Sequence, residues 1–236
     1  MLIQAHPGRR LEVRRLGAEG TPLLVVDQAV ADPDRLVGKA ARGHFTRQGA
    51  LFPGLRLRAP LSYEAFLEQL LRPLLDEHFG LPSQGRLAFP TCHYSLVTLP
   101  PDRLDFLQRI PHIDSVQANG LAVMHYLFHG DWGGTAFYRH RATGFEYVDA
   151  SRHSTYFQTL QEESLREDAT GPGYINGDSA LFEQIGSVDG VYNRLVVYRR
   201  NVLHSGNIDS TRVPPADVHA GRLSINSFID VVGPTR

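Results

Sequence analysis

The sequence predicts an α+β fold that is mainly β, because strand-like segments dominate the chain after its first third. From about Leu87 onward, short alternating segments rich in Val, Tyr, Phe and Ile are separated by Gly, Pro, Asn and Asp, a texture typical of β-strands and turns. Helical periodicity is concentrated before that point. A chain of 236 residues with 42% hydrophobic residues buries one substantial core, so we expect a single domain whose β body is a sandwich or a jelly roll.

Residues 1–86 are expected to form a helical and strand portion that packs on this β body. The apolar run 23–26 (LLVV) predicts a strand. A helix should follow it, with Asp32 at the N-cap and Pro33 at the first helical position. Proline is tolerated there because an N–H group at that position would have no partner within the helix.

A second helix is predicted to begin near Ser62 and to end at Gly80, a residue suited to the left-handed conformation that closes many helices. Pro73 should kink or split it. Its apolar residues fall at helical spacing, namely Phe66, Leu67, Leu70, Leu71, Leu74 and Leu75.

The β body is expected over residues 87–236. Seven segments there predict strands, at residues 87–97, 120–128, 134–140, 144–149, 179–185, 194–205 and 221–230. Residues 154–167 depart from this pattern and indicate a helical insert.

Composition excludes several classes of partner. The formal net charge of −1 gives no electrostatic basis for binding nucleic acid or an anionic membrane. No apolar run approaches the length of a membrane span, and the start of the chain lacks the apolar core of a signal peptide. Cys92 is the single cysteine, so the chain cannot form an internal disulfide and suits a reducing compartment. We therefore expect a cytoplasmic protein.

The motif His112-Ile113-Asp114 predicts a metal site. In an extended strand, residues two apart point to the same face, so His112 and Asp114 present an imidazole and a carboxylate side by side. A third ligand must come from elsewhere, and the downstream strand residue His204 is the natural candidate. Two histidines and one carboxylate on one face of a metal leave the opposite face open, which suits non-haem Fe(II).

A second His-x-Asp, formed by His129 and Asp131, competes with this assignment. It runs directly into Gly133 and Gly134, so we interpret it as a turn after the preceding strand. A turn does not guarantee that residues two apart share a face, and we therefore favour the pair at His112.

The last predicted strand carries polar residues where an apolar face is expected. Alternation places Arg222, Ser224 and Asn226 on one face and Leu223 and Ile225 on the other. An inward Arg and Ser are costly to bury unless an anion sits against them. Arginine offers a bidentate fork for a carboxylate.

Together these elements resemble the Fe(II)/2-oxoglutarate-dependent dioxygenases, in particular their prolyl 4-hydroxylase-like branch. The matching elements occur in that family's order over roughly Ala88 to Asp230. The segment 52–56 (FPGLR) is more similar to a bacterial group of uncharacterised proteins placed beside that branch. The matched elements are His112-x-Asp114, Tyr126-Leu127, Gly133-Gly134-Thr135-Ala136-Phe137, Arg194-Leu195-Val196-Val197-Tyr198, His204 and Arg222-x-Ser224.

The resemblance implies a double-stranded β-helix (jelly roll) flanked by N-terminal helices. It implies that His112, Asp114 and His204 bind Fe(II), and that Arg222 holds the distal carboxylate of 2-oxoglutarate with help from Ser224 and the Tyr126 hydroxyl. Because 18 positions separate His204 from Arg222, about twice the family's usual interval, residues 209–220 are interpreted as an inserted loop. Arg212, which lies nearer to His204 in sequence, is the alternative carboxylate-binding residue.

The activity implied is an O₂-dependent oxidation, most simply hydroxylation of an aliphatic C–H bond in a peptidyl or free amino acid or a similar small molecule. Two alternatives stay open: a non-catalytic, cupin-like metal-binding or sensing protein, and a Zn²⁺-dependent hydrolase or isomerase that uses the same ligands. The sequence specifies neither the substrate nor the oligomeric state.

Overall fold

The computed structural model describes residues 2–49, 51–166 and 169–233, and ten strands form two antiparallel sheets. The strands are β1 (Arg10–Leu16), β2 (Thr21–Asp27), β3 (Gly54–Arg58), β4 (Arg86–Val97), β5 (Gly120–Tyr126), β6 (Thr135–His140), β7 (Phe182–Val188), β8 (Leu195–Arg199), β9 (His204–Ser205) and β10 (Leu223–Val232). The α-helices are α1 (Pro33–Ala41), α2 (Leu61–Leu71), α3 (Leu75–Phe79) and α4 (His153–Glu163). Three 3₁₀ turns lie at Arg72–Leu74, Pro101–Arg103 and Phe106–Gln108.

The large sheet has seven strands in the order β1-β2-β8-β5-β10-β4-β3, and the small sheet has three in the order β7-β6-β9. The long strand β10 pairs with both β5 and β4. The end of the chain is therefore held between strands from its middle. Strands β1, β2 and β3 belong to the same large sheet, so the first 86 residues extend this sheet as well as supplying helices. The predicted α+β, mainly β class is confirmed.

Helices α1, α2 and α3 contribute to one apolar core together with one face of the large sheet. Leu36 and Phe66 from the helices join Leu223 and Ile225 from β10 in this core. The helix boundaries follow the sequence signals: the side chain of Asp32 accepts a hydrogen bond from the Arg35 amide.

The predicted interruption of the second helix is also confirmed. The chain passes from α2 through the 3₁₀ turn that contains Pro73 into α3. Gly80, with φ of 58°, closes α3 in the left-handed conformation.

The opposite face of the large sheet packs against the small sheet. Tyr126 of β5 and Tyr198 of β8 meet Phe137 of β6 and Val188 of β7 in a second core cluster. The two sheets therefore lie face to face, and the space between them is where the polar residues of β10 point.

Two predicted segments differ from the structure. The prediction of a strand over residues 144–149 is wrong: the segment makes a single bridge, between Tyr147 and Val202. Instead of a ladder, the Glu146 carboxylate accepts hydrogen bonds from the amides of Ala18 and Glu19. The predicted strand over 194–205 is divided into β8 and β9 by four residues.

The helical insert is present as α4, which begins one residue before the predicted start. Glu167, the last residue of the predicted segment, lies outside the described residues. None of the helices in the described part of the chain is both long and apolar enough to cross a membrane.

Candidate metal centre

The structure brings His112, Asp114 and His204 to one point beside the small sheet. His112 lies in an extended segment that is hydrogen-bonded to β9: its amide donates to the His204 carbonyl at 2.9 Å, and the His204 amide donates back at 3.0 Å. The Asp114 amide donates to the carbonyl of Arg200 at 2.8 Å. Backbone pairing between distant parts of the chain therefore sets the positions of all three side chains.

The side chains converge at metal-binding distances. His112 Nε2 lies 3.7 Å from Asp114 Oδ1, and His204 Nε2 lies 3.5 Å from Asp114 Oδ2. One ligand atom from each residue lies within 4.8 Å of the others, and this is the single such His, Cys, Asp or Glu group found among residues 2–49, 51–166 and 169–233. Two metal–ligand bonds of about 2.1 Å span at most roughly 4.2 Å, so both measured separations fit one ion.

Hydrogen bonding prepares His204 as a ligand. Its Nδ1 donates to the Val202 carbonyl at 2.9 Å, which places the ring proton on Nδ1 and leaves the Nε2 lone pair directed at Asp114. A backbone carbonyl behind a histidine is the usual means of fixing a metal ligand's tautomer and orientation.

The Asp114 carboxylate lacks a partner for one oxygen. Oδ2 is buried and accepts no hydrogen bond from the described residues. Burial raises the pKa of Asp114, against the opposing influence of His112, Arg200 and Arg56. A buried acceptor without a donor is costly, and a cation between the carboxylate and the two imidazoles would satisfy it.

Burial also favours neutral imidazoles at this centre. It lowers the pKa of His204 to about 4. The pKa of His112 is lowered by desolvation and by the His204 ring. About half of the His112 side chain is exposed, so we expect a smaller shift there than at His204. Neutral imidazole is the form that binds a metal.

The centre is open on one side only. The side chains of Asp114 and His204 are 12% and 7% exposed, whereas that of His112 is 49% exposed. On the enclosed side the Tyr198 ring packs edge-on against His204, with ring centroids 4.7 Å apart, and Phe137 packs against Tyr198 at 5.1 Å. Tyr198 was part of a matched sequence element without a predicted role, and the structure places it against a candidate metal ligand.

Arg222 lies just before β10 and is 3% exposed. Its Nε donates to the Trp132 carbonyl at 2.9 Å, and Nη2 donates to the Gly134 carbonyl at 2.6 Å. Its guanidinium carbon lies 6.0 Å from the centre of the Tyr126 ring. Within the described ranges no carboxylate forms an ion pair with it. Desolvation lowers the pKa of Arg222, yet arginine stays charged in proteins, so this is a buried cation without a counter-ion.

Ser224 and Asn226 lie on the face that the alternation predicts. The Ser224 hydroxyl donates to Asn226 Oδ1 at 2.7 Å, while Leu223 and Ile225 belong to the core on the helix side. Ser224 is directly opposite Tyr126 in the β10–β5 register.

The Tyr126 hydroxyl, predicted to assist at the same place, is 2.7 Å from the Thr135 hydroxyl. Either oxygen can be the donor in this contact, so the Tyr126 hydroxyl is held against Thr135 and can still either donate or accept there. Burial raises the pKa of Tyr126, and Arg222 opposes that shift.

The alternative arginine lies outside this space. Arg212 is exposed, and its guanidinium stacks on the Trp132 ring at 4.8 Å. Trp132 Nε1 in turn donates to the Ala220 carbonyl at 3.0 Å. Trp132 thus fastens the loop over residues 209–220 to the rest of the molecule, and Arg222 is the arginine that the structure buries beside Tyr126.

The competing His-x-Asp has a different environment. His129 and Asp131 are both exposed, and the His129 ring stacks on Tyr192 with centroids 4.0 Å apart. Neither belongs to the metal-capable group described above. The pair lies in the connection between β5 and β6, as the turn interpretation requires.

Sequence comparison relates this chain to one family. The model of a family of unknown function, DUF6445, matches residues 7–229. The chain belongs to DUF6445. No curated protein matches it. Because the match extends over nearly the whole chain, both the metal-capable group and Arg222 lie within the matched residues.

Two further polar residues of this DUF6445 member, Arg56 of β3 and His93 of β4, lie on the same face of the large sheet as Ser224, and Arg56 had no predicted role. Arg56 is close enough to Asp114 for their charges to interact. His93 Nδ1 is buried without a hydrogen-bond partner in the described structure. The alternation in the segment GLRLR (54–58) places Arg56 and Arg58 on one face, but only the strand register shows which face that is.

Proposed function

We propose that this DUF6445 protein is a non-haem Fe(II)/2-oxoglutarate-dependent oxygenase that hydroxylates an aliphatic C–H bond of a free or peptidyl amino acid or a similar small molecule. One observation carries the proposal: Arg222, a buried arginine with no counter-ion among the described residues, lies on the sheet face beside a His-Asp-His group with one open side. Two face-to-face antiparallel sheets support a double-stranded β-helix as the fold.

The donor set fits Fe(II). Two neutral imidazole nitrogens and one carboxylate oxygen are the ligands that leave open coordination positions for non-haem iron. The unpartnered Oδ2 of Asp114 and the preset Nε2 of His204 both support a cation at this point. His112, Asp114 and His204 are therefore assigned as the iron ligands.

Arg222 fits the distal carboxylate of 2-oxoglutarate. The neighbouring backbone carbonyls engage two of its nitrogens, which fixes the guanidinium plane and leaves Nη1 without a hydrogen-bond partner in the described structure. A fixed, buried guanidinium binds a carboxylate strongly because the hydrogen bond is charge-assisted. Ser224 and Tyr126, which flank it on β10 and β5, are assigned to the same subsite.

When bound, iron and 2-oxoglutarate supply the oxidising chemistry with O₂, in which the co-substrate is converted to succinate and CO₂ as the substrate is hydroxylated. The protein positions the reactants. Val202 holds His204 in the ligating tautomer, and Tyr198 with Phe137 closes the inner side of the centre to water. The centre is open to solvent on the side of His112, and substrate enters from that side.

Anaerobic titration of the apoprotein with Fe(II) and 2-oxoglutarate tests the proposal. A saturable visible charge-transfer band is expected. It should be absent in His112→Ala and shifted to about tenfold higher 2-oxoglutarate concentration in Arg222→Gln, since a charge-assisted contact is lost. Arg212→Gln is the matched control, because Arg212 is an exposed arginine of the neighbouring loop.

The possible outcomes distinguish the oxygenase from the alternative functions. Iron binding without a band would contradict the oxygenase and support a metal-binding protein of another kind. Hydrolase or isomerase activity with Zn²⁺ in the absence of O₂ would favour the zinc enzyme. A band weakened by Arg212→Gln and not by Arg222→Gln would overturn the assignment of Arg222.

A further inference from the structure

Arg56 lies on the same face of the large sheet as the proposed co-substrate site. In the strand register Arg56 is opposite Ser95, and Ser95 is opposite Ser224. Directly opposed residues project to the same face. At about 4.8 Å per strand, Arg56 stands two strands and roughly 10 Å from Ser224.

The Arg56 side chain has no ion-pair or hydrogen-bond partner in the part of the chain that is described. Its Nε is buried and unpaired, and its guanidinium stacks on the Phe52 ring at 4.4 Å. Desolvation is the main influence on its pKa, which is lowered, and Asp114 is the one charge that opposes the shift. Stacking fixes the plane of the guanidinium while leaving its hydrogen-bond donors free.

The other arginine on β3, Arg58, provides a comparison, because it has an ion-pair partner and is exposed to solvent. Arg58, two residues further along, forms an ion pair with Glu64 of α2 and is 45% exposed. Arg56 has neither that partner nor that exposure. A charged group mostly removed from water needs compensation, and no hydrogen bond or ion pair within the described chain supplies it to Arg56.

His93 extends the same polar region. It is opposite Arg58 on β3 and opposite Asn226 on β10, and its buried Nδ1 is unpaired. Arg56, His93 and Asn226 thus present polar groups on adjacent rows of one sheet face, with the aromatic ring of Phe52 at the edge.

We propose that Arg56 binds a carboxylate of the substrate to be oxidised, with His93 and Phe52 beside it, so that the substrate is a small acid with a free carboxylate. This inference rests on the proposed function. Each arginine then binds a different acid. Arg222 binds the co-substrate 2-oxoglutarate at the start of β10, and Arg56 binds the substrate at the edge strand β3. The charges of Arg56 and Asp114 interact, so this second subsite is within electrostatic reach of the metal centre.

The test uses trifluoroacetate as the carboxylate probe and trifluoroacetamide as its neutral counterpart. The full-length protein is loaded with Co(II) and saturated with 2-oxoglutarate, so that Arg222 and the metal are occupied. Paramagnetic broadening of the ¹⁹F resonance then reports a probe bound close to the metal. Broadening by trifluoroacetate is expected to saturate, while trifluoroacetamide causes little. Affinity should fall about tenfold in Arg56→Gln and less in Arg56→Lys, which retains the charge without the fork.

Arg58→Gln is the matched control and should retain the wild-type affinity. Equal broadening by both probes, or unchanged affinity in Arg56→Gln, would overturn the inference. The iron charge-transfer titration is run on the same variants. If Arg56→Gln weakens 2-oxoglutarate binding and Arg222→Gln does not, Arg56 is the co-substrate residue: the substrate assignment fails while the oxygenase proposal stands. If wild-type protein gives no band, the oxygenase proposal fails, and the probe titration without 2-oxoglutarate still shows whether Arg56 binds carboxylates.

Discussion

His112 and His204 are joined twice, by a reciprocal pair of backbone hydrogen bonds and by imidazole rings whose centroids lie 4.4 Å apart. They are 92 residues apart in the sequence, so the metal-capable group forms only when the segment around His112 pairs with β9. The backbone pairing brings the two histidines to adjacent positions through main-chain hydrogen bonds alone.

Replacing His204 should abolish tight metal binding without unfolding the protein. His204→Ala is expected to weaken Co(II) affinity by more than about 100-fold, the upper end of the effect of losing a supporting residue. Isothermal titration calorimetry of the apoprotein measures this, and circular dichroism checks the fold. His129→Ala, in the competing His-x-Asp, is the control. An equal loss of Co(II) affinity in His204→Ala and His129→Ala would contradict the assignment of the metal site to His204.

Asp114→Asn should stabilise the apoprotein while weakening its metal binding. The raised pKa of Asp114 means that its ionised form is disfavoured in the folded state, so at pH 7 the carboxylate lowers stability. Removing the charge should increase the free energy of unfolding of the apoprotein. Urea denaturation in the presence of a chelator measures this change. A less stable apoprotein would show that the carboxylate has a structural partner.

Sequence patterns predicted the elements whose signals are local. Asp32 marks a helix start through its side-chain cap, Pro73 and Gly80 mark helix boundaries through their backbone preferences, and the alternation in β10 correctly separated Ser224 from Ile225. Strands β1 and β3 went unrecognised because both are edge strands with mostly exposed or partly exposed side chains, so no buried face marks them.

The same distinction between local and long-range signals applies to the residues of the candidate site. The pair at His112 and Asp114 was proposed from their spacing of two, and His204 and Arg222 were proposed from the order of elements in the family that the sequence resembles. The position of Arg56 was not readable, because it depends on the register of β3 against β4 and on a stacking contact with Phe52. Long-range pairing of this kind leaves no periodic signal in the residues themselves.

Stability should fall as the pH drops from about 6.5 towards 5, in part because of His125. This residue is fully buried: its Nδ1 accepts from the Tyr63 hydroxyl at 2.8 Å, and its Nε2 donates to Asn193 Oδ1 at 3.1 Å. Burial lowers the pKa of His125 from 6.5 to about 4. Below pH 6.5 the unfolded chain therefore takes up a proton that the folded chain does not, and unfolding becomes easier.

The contribution of His125 over this interval is roughly 1.5 kcal/mol. Urea denaturation at several pH values, with a chelator present, should show a shallower dependence of unfolding free energy on pH in His125→Gln than in wild type. His44→Gln, at an exposed position, should retain the wild-type dependence. The comparison uses slopes, so a uniform loss of stability in His125→Gln does not affect it. Parallel slopes in all three proteins would refute the assignment.

Gly134 should tolerate no side chain, because the two sheets and the Arg222 site meet there. A Cβ at this position would lie 1.8 Å from the Val188 carbonyl oxygen and 2.7 Å from the Gly190 amide nitrogen. The Gly134 carbonyl also accepts the hydrogen bond from Arg222 Nη2, so any shift of this backbone moves the guanidinium. Gly134→Ala is expected to cost about 2–4 kcal/mol in unfolding free energy and to weaken 2-oxoglutarate binding in the protein that remains folded. Gly171→Ala is the control, since a Cβ there meets no atom within 4 Å. Thermal denaturation measures the loss of stability, and the charge-transfer titration measures 2-oxoglutarate binding. A Gly134→Ala variant with wild-type stability and wild-type 2-oxoglutarate binding would mean that this backbone does not fix the position of Arg222.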